Sequence, residues 1–97
     1  MVTFGEITEK RVRALYTKTD IEGYSVEGGA AYDMDNGLTD ASGIVKADGA
    51  VVGHFGIWRN GEGFSMNISD FSAGSGAKLN EIAEAVLSDL ESAVPEA

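Results

Sequence analysis

The stretch DNGLTDASGIVKADGAVVGHFGIWRNG, residues 35–61, decides the fold. It holds three Xaa-Gly pairs, Asn36-Gly37, Asp48-Gly49 and Asn60-Gly61, spaced twelve residues apart. Tight hairpin turns need residues that tolerate a positive φ, and Asn, Asp and Gly tolerate it best. Segments of about eight to ten residues between such turns have the length of strands. The expectation is an antiparallel meander.

The flanking segments alternate with period two. From Tyr24 to Met34, Tyr24, Val26, Ala30, Tyr32 and Met34 fall on one side, and Ser25, Glu27 and Asp33 on the other. From Phe64 to Phe71, Phe64, Met66 and Ile68 oppose Ser65, Asn67 and Ser69. The segment Ala50 to Arg59 is apolar on both sides, with Val52, His54 and Trp58 against Val51, Phe55 and Ile57, as expected of a central strand. Gly43 interrupts Leu38 to Ala47, and a bulge or bend is expected there.

Register follows from face parity, because a shift of one residue moves every side chain to the opposite face. Two-residue loops at all three Xaa-Gly pairs would place Phe64, Met66 and Ile68 opposite in face to Tyr24, Val26 and Tyr32. A three-residue loop at Arg59-Asn60-Gly61, with a bulge after it, puts them beside Val52, His54 and Trp58 instead. The third turn is therefore expected to differ from the first two, with a bulge at Gly43 as the competing repair.

Leu79, Ile82, Ala83, Val86, Leu87, Leu90 and Val94 follow the i, i+3, i+4 spacing of an amphipathic helix over residues 77–94. Ser72 and Ser75 are candidate N-caps, and Pro95 ends the helix. Residues 1–20 read two ways. Thr3 and Glu6 have capping-box spacing, with Val2 and Ile7 as a staple, whereas Val12, Ala14 and Tyr16 alternate as a strand. In either form the segment is expected to cover the second face of the sheet. The fold expected is a single α+β domain over residues 1–97, with a four- to five-stranded antiparallel meander (24–71) packed on one C-terminal helix.

The 97 residues carry a formal charge of −9 and no cysteine. Disulfides, thiolate metal sites and thiol nucleophiles are thereby excluded. Residues 1–20 sum to +1 and residues 21–97 to −10. Direct contact with nucleic acid or an anionic membrane requires a basic footprint, so neither is expected, and a basic protein surface is the natural partner. The opening Met1-Val2-Thr3-Phe4 lacks the order of a signal peptide, and no apolar run is long enough to cross a bilayer. A cytoplasmic location is expected.

Sites of chemistry fare poorly. Gly74-Ser75-Gly76-Ala77-Lys78 lacks the glycine spacing of a phosphate loop, and Leu79 stands where a hydroxyl would hold magnesium. Asp33-Met34-Asp35-Asn36-Gly37 breaks the calcium-loop frame, with glycine fifth and Ile44 at position twelve. His54, the single histidine, has no orienting partner assignable from spacing. No metal or cofactor is expected. Glu81, Glu84 and Glu91 line the polar helix face; with Glu27, Asp33, Asp35 and Asp40 on the sheet they could imitate a phosphate backbone. Trp58 and Arg59 are residue types favoured in interface hot spots. The function expected is a non-enzymatic acidic interaction domain, an inhibitor or regulator that engages a basic, nucleic-acid-binding protein surface. The alternatives are a homodimeric or accessory subunit joined through Ile44, Val51, Phe55 and Ile57, and a ligand-binding pocket around His54, Trp58 and Tyr32.

Overall fold

A computed structural model describes residues 2–21, 23–71 and 76–93. Six strands, β1 (Val2–Thr8), β2 (Arg11–Ile21), β3 (Tyr24–Asp33), β4 (Gly37–Ala47), β5 (Ala50–Asn60) and β6 (Gly63–Asp70), form one antiparallel sheet in sequential order. The helix α1 (Gly76–Ser92) packs across one face. The α+β meander with its closing helix is as expected. The strand count is not: six replace four to five, because residues 1–20 supply two strands joined at Glu9-Lys10. This turn carries no glycine or asparagine to betray it. Both of its residues have positive φ, 51° and 68°, as a two-residue hairpin turn demands. These twenty residues extend the sheet at its edge and leave its second face uncovered.

Four strands are bulged, and the bulges sort apolar side chains onto the helix side. In β1 the register slips between Phe4 and Ile7, so Val2, Phe4 and Ile7 all face inward opposite Tyr16, Ala14 and Val12. The resulting spacing has no constant period, which is why the segment also reads as a helix. In β2 the slip between Lys18 and Ile21 turns both inward. Thr39 is the extra residue of β4 and Val52 that of β5, while Gly43 pairs regularly with Gly28 and Phe55. The expected bulge at Gly43 is thus replaced by bulges four residues before it and on the next strand.

The expected third turn is also corrected. Its loop is Gly61-Glu62, two residues closed by the Asn60–Gly63 pair, with Gly61 at φ 67°. Moving the loop one residue along the chain shifts the register by two and leaves face parity unchanged; the extra residue Val52 of β5 restores it instead. Phe64, Met66 and Ile68 therefore face Arg59, Ile57 and Phe55, not Val52, His54 and Trp58. The first turn is the longer one, with three residues between Asp33 and Gly37. β5 lies inside the sheet but next to its edge, so it is not the central strand.

Leu79, Ile82, Ala83, Val86 and Leu90 of α1 are buried against Tyr16, Val26, Tyr32, Val45, Phe55 and Ile57. Each large side chain contributes on the order of 1.5–3 kcal/mol of gross stabilisation. Two glycines make this closeness attainable. A Cβ at Gly43 would lie 2.6 Å from the Phe55 ring and would also strike the Tyr16 hydroxyl; at Gly53 it would lie 2.6 Å from Leu79 Cδ1. Tyr32 donates its hydroxyl proton to the Leu90 carbonyl at 2.7 Å, an acceptor in the last helical turn that also takes the Ala93 N–H at 3.3 Å. Tyr16 does likewise for Ser42 O at 2.8 Å. The expected caps Ser72 and Ser75, the continuation to Val94 and the stop at Pro95 lie outside the described residues.

Left-handed backbone at Glu9 and Lys10 costs roughly 1 kcal/mol or more per residue, which Asn and Gly avoid. The double variant Glu9→Asn/Lys10→Gly is expected to gain about 1–2 kcal/mol in urea unfolding; an unchanged or lower midpoint would show that the turn is not strained.

Candidate functional site: the open face of the sheet

The helix covers one face only. On the other, cross-strand neighbours form rows running from β2 to β6. The middle row is Leu15, Gly29, Ser42, Gly56 and Asn67, so its centre has almost no side chain. One flanking row contains Thr17, Glu27, Ile44, His54 and Ser69; the other contains Arg13, Ala31, Asp40, Trp58 and Ser65. The small residues thus floor a trough with taller walls. An open groove of about 500 Å³ lies at its β2–β5 portion, between Leu15, Glu27, Ile44 and His54. Large apolar residues stand in water here: Leu15 is 71% exposed, Val51 46%, Trp58 45% and Ile44 44%. His54 meets the edge of the Phe71 ring at 5.2 Å.

The two residues singled out at the third turn part company. Trp58 lies on the open face. Arg59 points to the helix side, where it donates from Nε and Nη2 to Leu38 O at 3.2 and 2.7 Å and from Nη2 to Asn36 O at 2.9 Å. Its guanidinium also lies 5.0 Å from the centre of the Phe64 ring. Arg59 thereby ties β5 to the first turn.

The acidic residues are likewise dispersed. Glu81, Glu84 and Glu91 lie exposed on α1, with Lys78 Nζ 3.9 Å from the Glu81 carboxylate. Asp40 projects from the opposite face of the sheet, beside Trp58. Asp33 and Asp35 sit at the first turn, where Asp35 pairs with Lys10 at 3.3 Å. Asp33 Oδ1 accepts from the Asp35 N–H at 2.8 Å. That backbone bond, chiefly, holds the Asp33 carboxyl below the usual carboxylate range; further bonds from Asn36 and the Arg11 charge act the same way. A continuous acidic surface joining helix and sheet is not formed, because the sheet stands between its parts. Lys18, at the rim of the helix side, meets Asp89 of α1 at 2.6 Å, a contact that the spacing in sequence does not reveal.

The alternative sites change as well. Tyr32 is buried under the helix while His54 and Trp58 stand on the far face, so the three line no common pocket. The surface Ile44, Val51, Phe55 and Ile57 divides, because the Val52 bulge sends Val51 outward and Phe55 and Ile57 inward. A polar groove of about 670 Å³ near the first turns includes Arg11, Arg13, Asp33 and Asp40. Among the described residues no three of His, Asp and Glu are placed to hold a metal ion, and no helix is long and apolar enough to cross a membrane. The open face was partly visible in sequence as the second apolar side of the Ala50 to Arg59 segment, whereas its glycine floor emerges only from the pairing register.

Comparison of the chain with protein-family models, with curated proteins and with solved structures finds no match. The functional reading therefore rests on these residues alone.

Burial raises the hydroxyl pKa of both buried tyrosines, that of Tyr32 to about 12. In the unfolded chain a tyrosine ionises near 10, so the unfolded state loses its proton first as pH rises. The tyrosines' contribution to stability is complete below pH 10 and is expected to fall between pH 10 and 12. Tyr32→Phe, which removes the buried bond to the Leu90 carbonyl, should lose roughly 0.5–1.5 kcal/mol at pH 7 and show a shallower alkaline decline. Denaturant unfolding at pH 7, 10 and 11.5 checks both; parallel declines would contradict the assignment.

Proposed function

We propose that this chain is a non-enzymatic protein-interaction domain that docks its partner on the open face of the sheet, with Trp58 as the anchor. The observation that supports it is the concentration of exposed Leu15, Ile44, Val51 and Trp58 around a glycine-floored trough, on the face opposite a sealed core. An exposed apolar patch flanked by polar residues marks an interaction surface, and tryptophan is enriched among the residues that dominate binding.

The partner is a protein whose contact surface is basic around an apolar centre. Glu27 and Asp40 border the trough, and the whole chain carries −9. Opposite charge steers such a partner in, and like charge opposes pairing of two copies of this chain. An inhibitor or regulator of a nucleic-acid-binding protein has this character, since the surface it must occupy is basic. In this reading the groove acts by occupancy.

A photoreactive residue at Ser42, on the trough floor, tests the proposal in extract of the native host. A discrete protein adduct is expected, reduced at least tenfold by Trp58→Glu or Ile44→Glu and weakened by salt. Adducts that are indifferent to both substitutions would overturn the docking face, and an adduct of the chain with itself would replace the partner with a second copy.

A further inference from the structure

Of the seven lysines and arginines, Lys10, Lys18, Lys46 and Lys78 pair with carboxylates, and Arg59 is spent on the Leu38 and Asn36 carbonyls. Arg11 and Arg13 alternate with the buried Val12 and Ala14 on β2, so both point to the open face. The Arg11 charge acts on the Asp33 carboxyl across the strand pair. Among the described residues, however, neither guanidinium makes an ion pair or a hydrogen bond.

These two arginines open onto a channel that follows β3. The groove of about 670 Å³ near the first turns shares Arg13 and Asp40 with a groove of about 360 Å³, which in turn shares Leu15 and Ser42 with the groove of about 500 Å³ beside His54. The outward positions of β3, Asp33, Ala31, Gly29 and Glu27, form the floor. Outward side chains of β2 and β4 form the walls: Arg13 and Asp40 stand across Ala31, and Leu15 and Ser42 across Gly29. With strands about 4.8 Å apart and a rise of about 3.3 Å per residue, the channel is about 10 Å wide and about 20 Å long.

The backbone groups of β3 are consumed by β2 and β4, so an extended segment laid here would bury unpaired N–H and C=O groups. A helix satisfies its own. Its diameter of about 10–12 Å matches the width, and about thirteen residues span the length. Charge fixes the kind of helix. Glu6, Glu9, Asp33 and Asp40 outnumber the two arginines at the first-turn end, so a lone anion is not the match there. A ligand of both signs is: one wall carries Arg13, the other Asp40 with Trp58 behind it on β5. The far end, between Leu15 and Ile44, is apolar, and its Glu27 is paired with Lys46 at 2.8 Å.

On the footing of the docking face proposed above, we infer that the partner's contact segment is an amphipathic helix lying along β3. Its apolar stripe meets Leu15 and Ile44. One terminal turn carries an acid on the flank against Arg13 and a lysine or arginine on the flank against Asp40. Helices that dock in grooves are held by their apolar anchors, and complementary charges at the border fix register and orientation.

The test uses the full chain and two synthetic helical peptides of about fourteen residues. Both carry one leucine stripe, with glutamate and lysine on opposite flanks of one terminal turn, and the two charges are exchanged between them. One peptide is expected to bind at least tenfold tighter than the other by titration calorimetry, to gain helicity on binding and to shift the Leu15 and Ile44 methyl resonances. Arg13→Asp/Asp40→Arg leaves the net charge of the chain unchanged and should reverse the preference. A Cβ at Gly29 meets nothing nearer than the Ala14 carbonyl at 3.5 Å, an ordinary contact, so Gly29→Val keeps the fold. Its side chain stands on the channel floor and should weaken the preferred peptide at least tenfold. Failure of both peptides to bind, equal affinities, a preference that the exchange does not reverse, binding in an extended form, or indifference to Gly29→Val overturns the inference. The Ser42 adduct reads the docking face separately: an adduct that still depends on Trp58 beside any of those results removes the helix and leaves the face standing. A dimer of the chain alone that Gly29→Val abolishes gives the channel to a second copy and overturns the inference as well.

Discussion

One helix can cover one face of a six-stranded sheet, and the irregularities of this molecule answer that constraint. Apolar residues spaced at strict period two would be shared between faces wherever a turn shifts the parity. The slips in β1, β2, β4 and β5 each restore the inward set, so that Val12, Tyr16, Val26, Tyr32, Val45, Phe55 and Ile57 converge under α1. Bulges also sharpen the local twist, which bends the sheet around the helix. Gly43 and Gly53 then give up side chains so that Tyr16, Phe55 and Leu79 can occupy their space.

The same constraint generates the surfaces available for function. With the inward face complete, the residues left over, Leu15, Ile44, Val51 and Trp58, have only solvent to face. The edge strand farthest from the bulged β1 carries no bulge, and the half-covered Phe64, Met66 and Ile68 lie along it. Charge follows a similar division. Several cations serve the fold: Arg59 ties turns, Lys18 meets Asp89 and Lys46 meets Glu27 at 2.8 Å. Much of the acidic excess is left at the surface, where it governs which partners can approach.

Much of the architecture was legible from residues 24–94, because period-two alternation, Xaa-Gly pairs and the Leu79 to Leu90 stripe each carry a local physical cause. What escaped has a cause too. Glu9-Lys10 is a turn without turn residues, so the first hairpin looked like one segment. Bulges at Thr39 and Val52 have no compositional mark, unlike the glycine at position 43 that drew attention and pairs regularly. Asn60-Gly61 did mark a turn, but Gly61-Glu62 forms its loop, and it is the unmarked Val52 bulge that sets the face of Phe55 and Ile57 and, through them, of Phe64, Met66 and Ile68. Of the candidate site, Trp58 and Asp40 stand together on the open face. Arg59 is absorbed by the first turn, and Glu81, Glu84 and Glu91 lie beyond the sheet, a separation that depends on long-range packing.

The central claim is a core sealed on one side and an apolar face left open on the other. Solvent paramagnetic relaxation with a neutral cosolute, measured on the dilute chain, reads this directly. Strong broadening is predicted for the Trp58 indole and the methyls of Leu15, Ile44 and Val51, with little for Tyr32, Val45, Ile57 and Leu90. Protection of Trp58 and Ile44 equal to that of Val45 and Leu90 would contradict the account.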